Sequence, residues 1–457
     1  SVAYSIMTLK QRFPASIVDE ITYCVESSYS NLHLVYDWIF TLEGEVSSEV
    51  SRKALDHTLN YYPKCRCILV NKYPSYKRWF RYRWELTEST GKDILQEIEL
   101  SDPNFTIRET VDYYVHNHIS LSIDLSSHIP LKVLLIRTPQ RTFFSFIMHH
   151  AVADGVGSIS FIQKFITCYE DIFYEREPAD TRSGSFADIS VPSMPFRWNY
   201  FSPRRLGPYF SYNKLFRKEP PVRLYSQQLP VDSAEFVAGV RDLPSQRLAV
   251  IRATAKTHQA TVNDYLLAAH FQTVKKWTRE WIGQSERIFI AVPINLRPPE
   301  DRTMSNILSS VNLSLKPELI RDTGELLQLI RQEMALLNKN EIAQTMANLS
   351  CLLHPIPPSL ILPLLKRSAP DFAPTVLLSN LGVLSPNPAH QDEEGFHYLG
   401  PARICNIHVI PNAGGWPDVL VSTYNKQLAI TQAVLSSCFP QETAERFLDA
   451  FVREITG

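Results

Sequence analysis

The chain has 457 residues, which at ~150 residues per domain means about three domains or two large ones and excludes a small stapled scaffold. Apolar residues make up 44% and charged residues 20%, an ordinary globular mix that excludes a disordered tail. Lys plus Arg number 46 against 47 Asp plus Glu, so no global excess of charge points to nucleic acid or an anionic membrane as partner.

Apolar runs such as Leu360 to Leu365 fall far short of the ~20 residues a spanning helix needs. No charged start followed by an apolar stretch marks a signal peptide. A soluble, cytoplasmic protein without integral membrane segments is expected. The seven cysteines are irregularly spaced and make no disulfide framework. Cys65 and Cys67 are expected to be buried thiols, and His116, His118 and His128 are too irregularly spaced to hold a metal.

In chain order, Ser47 to Asn60 reads as a helix with Val50, Ala54, Leu55 and Leu59 on one side, stopped by Pro63. Cys67 to Val70 and Trp79 to Trp84 suit strands. Val133 to Ile136 and Thr142 to Met148 form a hairpin signal around the polar Arg137 to Arg141. The second run is apolar at both parities, as a central strand covered on both faces should be. After Gly155 the period changes, with Ile159, Ile162, Phe165, Ile166, Tyr169 and Phe173 three or four apart, the mark of a packed helix.

Residues 176–226 carry many Pro, Ser, Arg and aromatic residues without a sustained period and are expected to be a long crossover between lobes. A second lobe begins near Leu229. Ser245 to Gln259 and Thr261 to Ile282 read as helices, the latter started by Thr261 and Asp264 in a capping-box arrangement. Strands are expected at Arg287 to Pro293, Ser309 to Leu315, Thr375 to Leu378, Val419 to Tyr424 and Leu428 to Val434. Helices are expected at Thr323 to Leu337 and Pro440 to Ile455.

The most informative segment is His149-His150-Ala151-Val152-Ala153-Asp154-Gly155, an HHxxxDG string between the buried strand and the helix. Side chains alternate along a strand, so His150 shares a side with Phe144, Phe146 and Met148 while His149 points the other way. One imidazole can enter a cavity while its neighbour meets the opposite layer. Gly155 permits a tight turn or a close approach that a Cβ would obstruct. Asp154 is placed to hold the turn through a charged partner elsewhere.

With this string the sequence resembles the chloramphenicol-acetyltransferase-like superfamily of acyltransferases, which includes condensation domains, plant BAHD enzymes, wax ester synthases and polyketide-associated acyltransferases. Asp124-Leu125 with Pro130-Leu131 resembles the condensation-domain approach to the hairpin, and Ala54-Leu55 with Tyr62-Pro63 resembles the AL...HP helix end of those domains. Pro293-Ile294-Asn295-Leu296-Arg297-Pro298 resembles the strand that supplies an arginine partner to the motif aspartate. Ser379-Asn380-Leu381-Gly382 resembles the SN-G turn of wax-synthase-like branches. Gly414-Gly415-Trp416-Pro417 echoes the BAHD DFGWG motif but lacks its Asp and Phe. Matching motifs span roughly residues 50–425.

The resemblance implies an α/β fold with α+β mixed sheets, in which two chloramphenicol-acetyltransferase-like lobes form a pseudo-dimer around a central channel. The lobes would be residues 1–175 and 227–457, joined by the 176–226 crossover, with some C-terminal strand crossing to the first lobe; a monomer suffices. It also implies His150 as general base, with His149 packing or orienting the site and Asp154 paired with Arg297 beside Gly155. Ser379 and Asn380 would offer oxyanion donors or simply end a strand.

The implied reaction is acyl transfer from a coenzyme A or carrier-protein thioester to a hydroxyl or amine of a small, largely apolar acceptor. No cofactor and no acyl-enzyme are needed. Two rival readings remain open: a non-acyl cyclase using His150 as base, and a noncatalytic module that binds a carrier-tethered intermediate. Lys275, Lys276 and Arg279 read as a solvated helix face rather than phosphate ligands. Leu352 to Leu365 reads as core packing rather than an acyl-tunnel lining or a contact with a membrane surface.

Overall fold

The computed structural model describes residues 11–28, 34–71, 82–114, 123–178, 197–225, 235–283, 286–299, 301, 303–353, 356, 360, 363 and 373–457, without the side chains of 216 and 217. The chain opens with β1 (Arg12–Pro14), α1 (Ile17–Ser28), β2 (Val35–Glu43) and α2 (Ser48–Tyr61). Next come β3 (Cys67–Val70), β4 (Arg83–Leu86), the single turn α3 (Gly91–Ile94), β5 (Leu95–Glu99) and α4 (Ile107–Tyr114). The hairpin β6 (Leu131–Arg137) and β7 (Thr142–His149) leads into α5 (Gly155–Phe173), and α6 (Pro203–Lys218) follows.

The second half begins with β8 (Phe236–Leu243), α7 (Ser245–Thr257) and α8 (Val262–Thr278). It continues through β9 (Ile288–Asn295), β10 (Leu308–Leu315), α9 (Thr323–Lys339) and α10 (Ile342–Cys351). Strands β11 (Val376–Val383), β12 (Tyr398–Leu399), β13 (Ala402–Ile410), β14 (Asp418–Tyr424) and β15 (Gln427–Leu435) precede the final helix α11 (Gln441–Thr456).

Two six-stranded sheets carry the two lobes, in the orders β12-β13-β2-β7-β6-β5 and β10-β9-β11-β14-β15-β8. A small sheet, β1-β4-β3, lies beside the first. The β6–β7 hairpin runs in antiparallel register from Arg137↔Thr142 to Leu131↔Met148. Every residue of β7 is buried, which is why its sequence is apolar at both parities. The other neighbour of β7 is β2, all but the last residue of which is buried.

β12 and β13 come from the second half of the chain but complete the first sheet. β13 pairs antiparallel with β2, with Ile407 opposite Phe40 and Val409 opposite Trp38. The apolar layer under α2 and α5 accordingly joins Leu55, Phe146 and Phe165 to Met304, Leu384 and Leu420 from the second half. Continuous packing of this kind holds the lobes as one body.

The helix starts follow local chemistry. Ser47 caps α2 by accepting from the Val50 N–H, and Thr261 with Asp264 forms a reciprocal capping box on α8, each replacing bonds a first turn cannot make internally. Part of the stretch expected to lack periodic structure is helical: α6 spans 16 residues with Pro208 inside it. It packs on the second lobe, where the Tyr212 hydroxyl accepts from the Asn312 N–H at 2.6 Å. Cys65 and Cys67 are buried thiols, and burial pushes the Cys67 thiol up to about 12. Trp79, His116 and His118 lie outside the described residues, as does most of Leu352 to Leu365. Among the described residues no helix is long and apolar enough to cross a membrane.

Candidate active site

The β7–α5 junction places the motif. Strand alternation sends His149 and His150 to opposite sides of the first sheet. His149 is fully buried, its Nδ1 accepts from the Ala151 N–H at 3.0 Å, and its Nε2 faces Glu26 Oε2 on α1. Those neighbours fix the tautomer: Nε2 carries the proton and donates it to the carboxylate. The second oxygen of Glu26 accepts from the Leu34 N–H at 2.8 Å. His149 thus ties the motif to α1 and the start of β2.

His150 turns to the other side and enters a cavity of about 410 Å³ between the lobes. Its main chain is held from both directions: its N–H donates to Leu34 O at 2.6 Å, and its carbonyl accepts from Asn306 Nδ2 at 2.7 Å. Tyr36 meets the imidazole edge to face with centroids 5.5 Å apart, and is itself fixed by its hydroxyl donating to Ala153 O at 3.0 Å. Burial lowers the His150 pKa below the ordinary imidazole value, against the opposing pulls of its own carbonyl oxygen and the Asp154 carboxylate. An imidazole held neutral at the cavity can act there as a proton acceptor.

Asp154 ends the turn as the N-cap of α5, accepting from the Gly157 N–H at 2.8 Å. Its two oxygens also meet Arg297 Nη2 at 3.1 and 3.2 Å, and Oδ2 accepts from the Ile307 N–H at 2.8 Å. Arg297 in turn donates to Thr303 O at 2.8 Å and Ser305 O at 2.7 Å. This buried pair joins the motif of the first lobe to the β9–β10 connection of the second. Asp154 lines the cavity, but with these bonds made it has no free capacity to relay a proton.

Gly155 does not serve a left-handed turn, since its φ is not positive. What it admits is a close neighbour: a Cβ there would stand 2.7 Å from Leu381 Cδ2. Leu381 lines the cavity, and the contacting atom is the far end of a flexible side chain. Gly155→Ala should therefore leave stability within about 1 kcal/mol of wild type but push Leu381 into the cavity. A higher KM with an unchanged melting temperature, measured on one preparation, is the expected result.

Ser379 and Asn380 sit on β11, at the other lobe's wall of the same cavity. The Asn380 amide is already engaged, accepting from the Gly382 N–H at 2.9 Å and donating to Asn263 Oδ1 at 3.3 Å, so it closes the turn around Gly382. Ser379 is the freer donor of the two. Tyr36, Asn306 and Glu26 went unseen in the sequence because each is over 100 residues from the motif, at separations of 117, 156 and 123, and none has a local signature.

The remaining sequence candidates stay apart from this centre. Lys275 Nζ donates to Ile320 O, Lys276 pairs with Glu454 and Arg279 with Glu280, so all three cations have partners on the second lobe. His128 is exposed beside Ser127. Trp416 is half-buried in the β13–β14 connection.

Two lobes closing over a motif histidine define the chloramphenicol-acetyltransferase-like class, a two-lobed pseudo-dimer. The profile of the condensation-domain family matches residues 20–335, and the chain belongs to that family. No curated protein matches the sequence.

Solved structures share the fold over nearly the whole length. The first condensation domain of the calcium-dependent antibiotic synthetase, in complex with a substrate analogue, is 14% identical with a TM-score of 0.72, covering 98% of this chain and 96% of that one. Trichothecene 15-O-acetyltransferase from Fusarium sporotrichioides is 11% identical with a TM-score of 0.74, covering 97% and 95%. The starter condensation domain of rhizomide synthetase, in complex with C8-CoA and Leu-SNAC, is 15% identical with a TM-score of 0.66, covering 97% and 94%.

Proposed function

We propose that the protein transfers an acyl group from a coenzyme A or carrier-protein thioester to a hydroxyl or amine of a small, largely apolar acceptor, with His150 as general base. The observation that carries this reading is the His150 imidazole lining an inter-lobe cavity, its charged form disfavoured by burial and its main chain held by Leu34 from one lobe and Asn306 from the other. Nε2 takes the proton of the acceptor O–H or N–H as that atom attacks the thioester carbonyl. The resulting oxyanion is met by the Ser379 hydroxyl. Collapse expels the thiolate, which recovers the proton from the His150 imidazolium, so the enzyme returns to its starting state without an acyl-enzyme.

A C8-CoA bound to one structural relative and acetyl transfer by another support a thioester donor, and a 14% likeness leaves the substrates themselves to experiment. The test is a panel of acyl-CoA and acyl-pantetheine donors crossed with apolar alcohols and amines, read by free thiol and product mass. Thiol release that depends on the acceptor supports the proposal. Product without thiol release points to cyclisation, and binding without turnover points to a noncatalytic module.

The lowered pKa of His150 sets a pH signature. The base stays unprotonated through neutral pH, so kcat/KM should be flat from pH 8 down to about 6.5, the ordinary imidazole value, and fall only at lower pH. Stability should change over the same window. The fold disfavours the imidazolium, so its stability declines as pH drops from the ordinary value through the lowered one and is level above it.

A further inference from the structure

Asp418 opens β14 just after the Gly414-Gly415-Trp416-Pro417 connection, with its main chain between Leu377 of β11 and Ala433 of β15. It is 6% exposed, and its Oδ1 is buried without a hydrogen-bond partner among the described residues. It nonetheless lines the same cavity as His150, from the opposite lobe. Leu420, two residues along, shares its face of the strand and also lines the cavity. A carboxyl in such surroundings loses its hydration and gains nothing from the protein. The mechanism proposed above makes no use of it.

We infer that Asp418 is a specificity-determining residue, whose carboxyl hydrogen-bonds a second oxygen function, a hydroxyl or carbonyl, on the apolar substrate whose reacting group lies at His150. The inference rests on the acyl-transfer reading and adds the substrate class: a molecule with two oxygen functions, one reacting and one held. The chemistry favours a neutral oxygen group over an ammonium. Burial pushes the Asp418 carboxyl up to about 8, so it keeps its proton at neutral pH and can both donate and accept. The other titratable groups lining the cavity do not change that state, because His150 is held neutral, burial keeps the Tyr36 phenol protonated and Asp154 is committed to Arg297. Trp38, Leu377, Val409 and Leu420 give the wall a large apolar share beside the neutral polar Asn295, Ser310 and Asn412.

The test uses the full chain and two probes of equal length, decanol and decanediol, with aminodecanol as a third. Binding is measured by calorimetry, which is independent of turnover, to wild type, Asp418→Asn and Asp418→Leu. Wild type should prefer decanediol over decanol by about tenfold, the worth of one hydrogen bond to a buried group. Asp418→Asn, nearly isosteric and still hydrogen-bonding, should keep that preference. Asp418→Leu should lose it while binding decanol at least as well, an outcome a misfolded variant cannot give. Equal preference in wild type and Asp418→Leu overturns the inference. So does an aminodecanol preference that disappears in Asp418→Asn, which would assign Asp418 to an ammonium as a carboxylate. Loss of thiol release with the diol preference intact would strike only the acyl-transfer reading, and the reverse would strike only this one.

Discussion

His150→Ala should lower acceptor-dependent thiol release by about 100- to 10,000-fold, the contribution of a positioned general base, and leave the fold intact. The bonds that hold this residue are made by its main chain, from its N–H to Leu34 O and from Asn306 Nδ2 to its carbonyl, and alanine keeps both. What is removed is the edge contact with Tyr36, worth about 0.5 to 1.5 kcal/mol. The expected pattern is a collapsed kcat with a melting temperature shifted by a few degrees at most. His149→Ala should behave in the opposite way. It strips Oε2 of the buried Glu26 carboxylate of its partner and the Ala151 N–H of its acceptor, so unfolding should come first and any activity loss should track the unfolded fraction. An alanine variant at 150 with wild-type turnover would falsify the proposed base.

The second large effect belongs to the Asp154–Arg297 pair. Arg297→Met should cost about 3 to 5 kcal/mol, because a buried carboxylate is left without its counter-charge. The Ser305 and Thr303 carbonyls lose their donor as well. Activity should fall with the folded population rather than through a changed pH profile. Adding Asp154→Asn removes the stranded charge and keeps an acceptor for the Gly157 N–H at the start of α5. The double variant should regain part of the lost stability, and denaturant midpoints of the four proteins give the coupling directly. A double variant no more stable than Arg297→Met would show that the pair is not what joins these segments.

Local signals were readable wherever a segment obeys a single period. β7 is apolar throughout because both its faces are covered, and α5 shows its helical spacing because one side meets β7. The motif residues fall at the junction between two such segments, and so the turn could be located and His150 given its direction. β2, the neighbour of β7, went unread. Asp37 and Thr41 interrupt its apolar pattern, and the Asp37 carboxyl finds its partner only in space, accepting from Ser145 Oγ at 2.6 Å. β13 was hidden by the register shift between Ile404 and Asn406, which breaks the alternation on which strand recognition depends.

α6 had a legible start, Ser202 followed by Pro203, but Gly207-Pro208 obscured the period beyond it. The residues that frame His150 posed a different difficulty. Asn306 and Tyr36 act through single contacts across the lobes, and no spacing rule connects them to residue 150. Asp418 offered only a lone acid at the head of an apolar strand. Its meaning depends on the cavity that several separate strands enclose.

The pairing of β13 with β2 bears on how the chain is made. Until residue 410 has emerged from the ribosome, β2 presents an open flank along the residues that β13 later covers, from Asp37 to Glu43. Such an edge invites pairing with other chains. The nascent first half therefore carries that flank uncovered until a strand translated about 360 residues later is made. A gene split between the two halves would yield a first fragment that aggregates, and only co-expression of the second fragment would rescue it.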